Sequence, residues 1–153
     1  MANKILWAAE TGATIMSTEL NSLADDGVAI DGADYDNATN EYTEASFLLY
    51  CAGFGGVPDG GGIELHAIYK VDGTHYGDSE DGDVAGTAAS LVNASTLVGM
   101  FTVRAANEDQ YLQCMGVPLL PFAVRFALKN TTGQALAASG NTLGIYPYNP
   151  EVQ

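Results

Sequence analysis

Positive charge is what this chain has least of. Five Lys and Arg residues stand against nineteen Asp and Glu, a formal net charge of −14 with a sequence pI of about 4.1. Nucleic-acid binding draws its affinity from clustered cations that displace counterions, and no such cluster occurs, so nucleic acid is a poor partner. An anionic membrane surface is a poor partner on the same ground. The acidity instead keeps a concentrated protein in solution. Long apolar runs are missing too: no window approaches the roughly 18 apolar residues of a spanning helix. Ile5-Leu6-Trp7 is too short for the core of a secretory signal. The expectation is a soluble protein made in a cytoplasm.

Histidine and cysteine are equally scarce. His66 and His75 have no Cys or second His at zinc-ligand spacing. Cys51 and Cys114 both fall inside apolar, strand-like runs, which reads as two buried thiols, with a disulfide as the alternative. A chain of 153 residues fits one domain, burying roughly 70% of its unfolded surface. Neither a disulfide nor a metal is needed to complete its core.

Glycine, by contrast, is abundant, at 18 of 153 residues. Turn signals interrupt the short apolar runs every ten to twenty residues or so, a pattern of antiparallel sandwiches and barrels. The most informative stretch is Pro121 to Asn130. Phe122, Val124, Phe126 and Leu128 share one phase of a period of two, and Ala123, Arg125, Ala127 and Lys129 the other, as a half-buried strand requires. Asn130-Thr131-Thr132-Gly133 supplies the turn after it.

Other segments sort around this strand. Thr11 to Met16 is a weak strand, and Ser17 to Ala24 a turn or two of helix capped by Ser17 or Thr18. Val28 to Ile30 is a short strand, followed by a polar loop from Asp31 to Asn40 that holds no core. In Thr43 to Ala52, Ala45, Phe47, Leu49 and Cys51 line one face. Leu48 and Tyr50 make the second face apolar as well, which marks a central strand or one that meets another subunit. Ile63 to Val71 sets Ile63, Leu65, Ala67 and Tyr69 against a mostly wet face of Glu64, His66, Ile68 and Lys70. Thr96 to Ala105 places Leu97, Phe101 and Val103 on one side and Val98, Met100, Thr102 and Arg104 on the other. Gln110 to Met115 is a shorter strand. Thr142 to Tyr148 closes the chain as an edge strand, because Pro147 and Pro150 cannot donate to a ladder. Val84 to Ser95 has no assignable pattern. These readings predict an all-β protein, an antiparallel β-sandwich of jelly-roll type with about eight strands over residues 11–148, an N-terminal arm at 1–10 and a C-terminal tail at 149–153.

Catalytic chemistry finds little footing. Glu44 and Glu64 are the strand-borne carboxylates that a glycosidase would need to converge, and nothing in the pattern brings them together. No nucleophile elbow is present. Asp59-Gly60-Gly61-Gly62 leads into a strand, whereas a phosphate loop leads into a helix. Two acidic loops, Asp78 to Asp83 and Asp31, Asp34 and Asp36 with Asn37 and Thr39, offer oxygens to Ca²⁺ but lack a complete calcium-loop pattern; solvated turns are the simpler reading. Tyr35, Tyr42, Tyr76, Tyr111, Tyr146 and Tyr148 stand in or near loops or strand ends, where tyrosine serves as a half-buried rim residue, a protein contact or a platform for sugar. No catalytic, cofactor or metal residue is nominated.

Several stretches stand out by their order: Leu20-Asn21-Ser22-Leu23-Ala24, Asp34-Tyr35-Asp36-Asn37-Ala38-Thr39-Asn40, Ile63-Glu64-Leu65 with Val71-Asp72-Gly73-Thr74-His75-Tyr76, Leu97-Val98-Gly99-Met100-Phe101 with Val103-Arg104-Ala105, and the long run Phe126 to Leu143. Taken in that order they resemble small virion structural proteins of tailed bacteriophages. The resemblance spans roughly residues 15 to 148; the arm bearing Trp7 and the Asp78 to Asp83 loop depart from it. It implies a β-sandwich in the virion, made in the host bacterial cytoplasm: a head decoration or cement protein, bound to the major capsid protein at the capsid surface as a homo-oligomer (dimer or trimer). It transfers no catalytic residue, so no enzyme activity and no cofactor are expected. Trp7, Leu48 and Tyr50 are the candidate contact residues, with core packing as their alternative role. The alternative function is a tail or baseplate sandwich that binds host-surface glycan.

Overall fold

The computed structural model describes residues 5–9, 11–76 and 96–152. Within them the chain forms two five-stranded antiparallel sheets. The first holds β1 (Ile5–Ala9), β2 (Ala13–Met16), β5 (Glu44–Cys51), β8 (Gln110–Pro118) and β10 (Thr142–Val152). The second holds β3 (Val28–Ile30), β4 (Tyr35–Asp36), β6 (Gly62–Lys70), β7 (Leu97–Thr102) and β9 (Ala123–Thr131). Successive parts of β10 pair with β2 and β1, and successive parts of β9 pair with β3 and β4. Each such duo fills one sheet position. The order is therefore β1/β2-β10-β5-β8 in one sheet and β3/β4-β9-β6-β7 in the other. Apart from β6 and β7, consecutive positions alternate between sheets, which is the jelly-roll sandwich expected, with its eight positions.

Period-two patterning makes the core. Ala45, Phe47, Leu49 and Cys51 on β5 and Val124, Phe126 and Leu128 on β9 are buried. The Phe47 and Phe126 rings meet edge to face between the sheets, centroids 4.9 Å apart at 67°. β9 lies inside its sheet and pairs with β6 along its length, from Ala123 opposite Lys70 to Thr131 opposite Gly62. The turn after it is anchored by fully buried Asn130. Its Nδ2 faces the carbonyls of Leu23, Ala24 and Gln134, and its Oδ1 accepts from the Thr132 backbone and hydroxyl. Gly133 follows at φ 77°, a conformation that glycine adopts without strain.

Several expectations need correction. β10 is not an edge strand: β5 lies on one flank, β2 and β1 on the other. Pro147 falls between the segments paired to β2 and to β1, so on that flank it has no ladder bond to lose. The arm and tail are not separate appendages either, since Ile5 to Ala9 pair with Tyr148 to Val152. The polar loop at 31–40 contains β4 and one helical turn, α1 (Asn37–Asn40), and Asn37 is fully buried. Its amide bonds the Tyr42 backbone N and O and the Leu120 carbonyl, which removes the cost of burying it. Over Ser17 to Ala24 there is only a 3-10 turn, Thr18–Leu20; the Ser17 side chain makes no cap, and Glu19 accepts from the Ser17 N–H instead.

The outer face of β6 is drier than alternation predicts. Ile68 is buried because Tyr76 folds back onto it and Ala127, with Val28 and Ile30 packed beside them, and His66 is buried with its ring between Thr96 and Glu64. A register shift between Leu65 and His66 changes the phase of β7, so Val98 packs on the core and Leu97 is exposed. β8 runs on to Pro118 rather than stopping at Met115. The Asp78 to Asp83 loop and Val84 to Ser95 lie outside the described residues.

Candidate functional site

The outer face of the first sheet stands apart from an otherwise acidic molecule. The alternation that buries Phe47 and Leu49 turns Ser46, Leu48 and Tyr50 outward on β5. On β8 it turns Tyr111, Gln113 and Met115 outward. Register sets Tyr50 between Tyr111 and Thr142, and Leu48 between Gln113 and Gly144. Among the described side chains of these three strands, Glu44 is the one charged group on this face. It lies at one end, where Tyr148 Oη donates to its Oε2 at 2.9 Å. Tyr111 and Met115 are 69% and 74% exposed.

The rings on this face pack against close neighbours. Tyr50 and Tyr111 lie 4.6 Å apart at 33°. Partial desolvation, with Asp109 and Tyr111 nearby, pushes the Tyr50 phenol above its ordinary pKa, so it remains a neutral donor. Tyr146 lies across two glycines: a Cβ on Gly12 would fall 2.2 Å from its ring, and one on Gly144 3.2 Å. Between Leu48, Met115 and Tyr146 opens a depression of ≈ 350 Å³, floored by Phe47 and flanked by Ser46 and Gln113. Tyrosine and methionine without charge is the composition of protein-interface centres, because no ion has to lose its water on contact.

Of the candidate contact residues, Leu48 and Tyr50 fall on this face, half-buried, and not in the core between the sheets. Trp7 is on β1 opposite Pro150, elsewhere in the same sheet. Among the tyrosines, Tyr111 and Tyr146 are exposed, whereas Tyr35 and Tyr42 pack against the core and Tyr76 is buried. Sequence reading missed Gln113 and Met115. Their signal was the alternation of Tyr111, Gln113 and Met115 with Gln110, Leu112 and Cys114.

The remaining candidates are occupied by structure. Glu44 and Glu64 lie on different sheets. Glu64 Oε2 faces His66 Nε2 at 3.2 Å, and His66 Nδ1 faces Thr96 Oγ1 at 3.0 Å. His75 Nδ1 is 2.7 Å from Asp72, whose carboxyl is held far below its ordinary pKa, first by the His75 side chain and then by the His75 and Thr74 N–H groups. The Asp31, Asp34 and Asp36 group does not converge on an ion. Asp34 takes bonds from Lys70, Tyr76 and Arg125, Asp36 from the Thr39 N–H and hydroxyl, and Asp31 from the Ala33 N–H. Desolvation raises the Asp31 pKa. Among the described residues no group of three His, Cys, Asp or Glu side chains is placed to hold a metal. Cys51 and Cys114 are free thiols. No helix among the described residues is long and apolar enough to cross a membrane. No family model matches the sequence, and no curated protein is significantly similar to it.

Proposed function

We propose that this protein is a structural component of a tailed-phage particle, a decoration protein that docks on the major capsid protein through the outer face of its first sheet. The observation that carries the reading is the charge-free face of Leu48, Tyr50, Tyr111, Gln113, Met115 and Tyr146 on a chain of net charge −14. An acidic body stays dispersed at high copy number, and a neutral face on it sets which surface docks. The resemblance of residues 15 to 148 to small phage virion proteins supplies the class of partner. Docking needs no catalysis and no cofactor.

A cryo-EM reconstruction of purified virions tests this. Density for the chain is expected to repeat with the head lattice, with the first sheet toward the shell. Absence from the particle overturns the reading. Density confined to the tail would favour the second reading, a glycan-binding tail or baseplate sandwich. The pairing of half-buried Tyr50 with exposed Tyr111 supports that alternative, since paired rings offer a stacking surface to sugar. Tyr76 contributes nothing to it, being buried against the second sheet.

A further inference from the structure

We infer that β8 is a self-pairing edge, and that two copies of this chain join β8 to β8 in antiparallel register about Gln113, making one continuous sheet across the dimer. Among the described residues β8 has a single strand neighbour, β5. Among the described residues no strand pairs with the backbone N–H and C=O groups of its far side. Exposed edges are ordinarily protected by lysine, an inward charge, proline or a bulge. From Gln110 to Cys114 there is none of these. Protection begins at Met115 and Gly116, where the register with β5 shifts between Cys114 and Val117 and Gly116 sits at φ 68°.

Parity and side-chain chemistry select the register. A two-fold axis perpendicular to the sheet opposes residues that point to the same face, so the axis must pass through a residue and not between two. Centring on Gln113 sets it against itself, amide to amide, and sets Tyr111 against Met115 of the second copy. Ring and thioether then meet favourably. On the inner face, Leu112 meets Cys114 of the second copy. This register pairs Tyr111 to Cys114 within the unprotected run and reaches the bulge at Met115, with Gln110 opposite Gly116.

Charge argues for a second copy as the occupant. Two bodies of net charge −14 repel, and approach is least opposed where neither carries charge. β8 has no charged residue over its nine positions. The joined edges also merge the two neutral faces into one, doubling the surface that bears Tyr111 and Met115. The inference stands apart from the shell-docking reading, because it concerns the purified chain alone.

Sedimentation velocity at rising concentration, with cross-linking, provides the test. Wild type should move toward twice 15.9 kDa. Gln113→Lys places like charges face to face and should return the single-chain species with an unchanged melting curve, although it lowers the overall repulsion. Gln113→Cys should form a disulfide-linked dimer on mild oxidation, since directly opposed Cβ atoms lie about 4.5–5.5 Å apart, within a small adjustment of disulfide geometry. Tyr111→Cys alone should not, being displaced from its own copy by about 14 Å of strand. Tyr111→Cys combined with Met115→Cys should. A chain that stays single at every concentration overturns the inference, and so does a dimer that persists in Gln113→Lys while Gln113→Cys fails to link.

Discussion

Asp34, just before β4, and Arg125 on β9 are joined through one oxygen: Arg125 Nε at 3.1 Å and Nη2 at 3.0 Å both donate to Asp34 Oδ1. Lys70 Nζ donates to Oδ2 at 2.8 Å, and the Tyr76 hydroxyl donates to Oδ1. Both cations also lie over the Tyr76 ring, with Lys70 Nζ 4.4 Å and Arg125 Cζ 5.0 Å from its centroid. This knot fastens Tyr76 and the segment before β4 to β6 and β9 of the second sheet, which is how Ile68 and Ala127 come to be covered.

Asp34→Asn should destabilise the fold by about 1 kcal/mol, since it leaves two half-buried cations without their counter-charge. Burial alone would raise the Asp34 pKa, but the bonds from Lys70, Tyr76 and Arg125 outweigh it and hold the carboxyl below its ordinary value. Its contribution is therefore fully present above the unfolded pKa, about 3.9. It fades as pH falls through the lower folded value. Urea titrations of both proteins at pH 7 and in steps below pH 4 should show the gap narrowing on the acid side. A gap that widens there would contradict this account.

Phe126→Ala should cost about 3–5 kcal/mol, because it empties the middle of the core where the two sheets meet. A double-mutant cycle with Phe47→Leu and Phe126→Leu should return a coupling of about 0.5–1.5 kcal/mol for the edge-to-face contact. Additive losses would mean that the rings contribute only buried area.

Much of this fold is legible in the chain because alternation reports burial directly. β5 and β9 follow their patterns residue by residue, and the positions of Leu48 and Tyr50 in the β5 alternation are enough to mark an apolar second face. The misreadings share one physical source, contacts made by distant segments. Nothing local to Ile63 to Val71 says that Tyr76 will cover Ile68. Nothing local to Asn37 says that Leu120 will accept its amide proton, so a buried polar residue reads as loop. Pro147 suggests an edge by rule and is accommodated in an interior strand by a gap between two short neighbours. The uncharged face was only half legible, since its continuity depends on register across β8, β5 and β10, which period alone does not specify.

The two thiols should differ in reactivity. Burial pushes the Cys51 pKa up to about 12 and raises that of half-buried Cys114 less far. Thiolate is the reactive form, so at pH 8 an aromatic disulfide reagent should label Cys114 slowly and Cys51 only on unfolding. Adding urea should release the second equivalent with the unfolding transition. Rapid labelling of both in the native protein would show that the first sheet opens at Cys51.

Gly12→Ala separates the neutral face from the fold beneath it. The new Cβ would lie 2.2 Å from the Tyr146 ring, while Tyr146 itself is an exposed side chain that can swing away. Stability should then change by less than about 1 kcal/mol, because a surface ring moves and no core residue does. The depression beside Leu48 and Met115 should lose its Tyr146 wall. NMR spectra of the variant should show shifts confined to Tyr146 and its neighbours on β5 and β8, with an unchanged melting temperature. If the proposed docking on the shell holds, binding should weaken in the same protein. Full binding with a displaced Tyr146 would move the docking contact off this part of the face and toward Tyr50 and Tyr111.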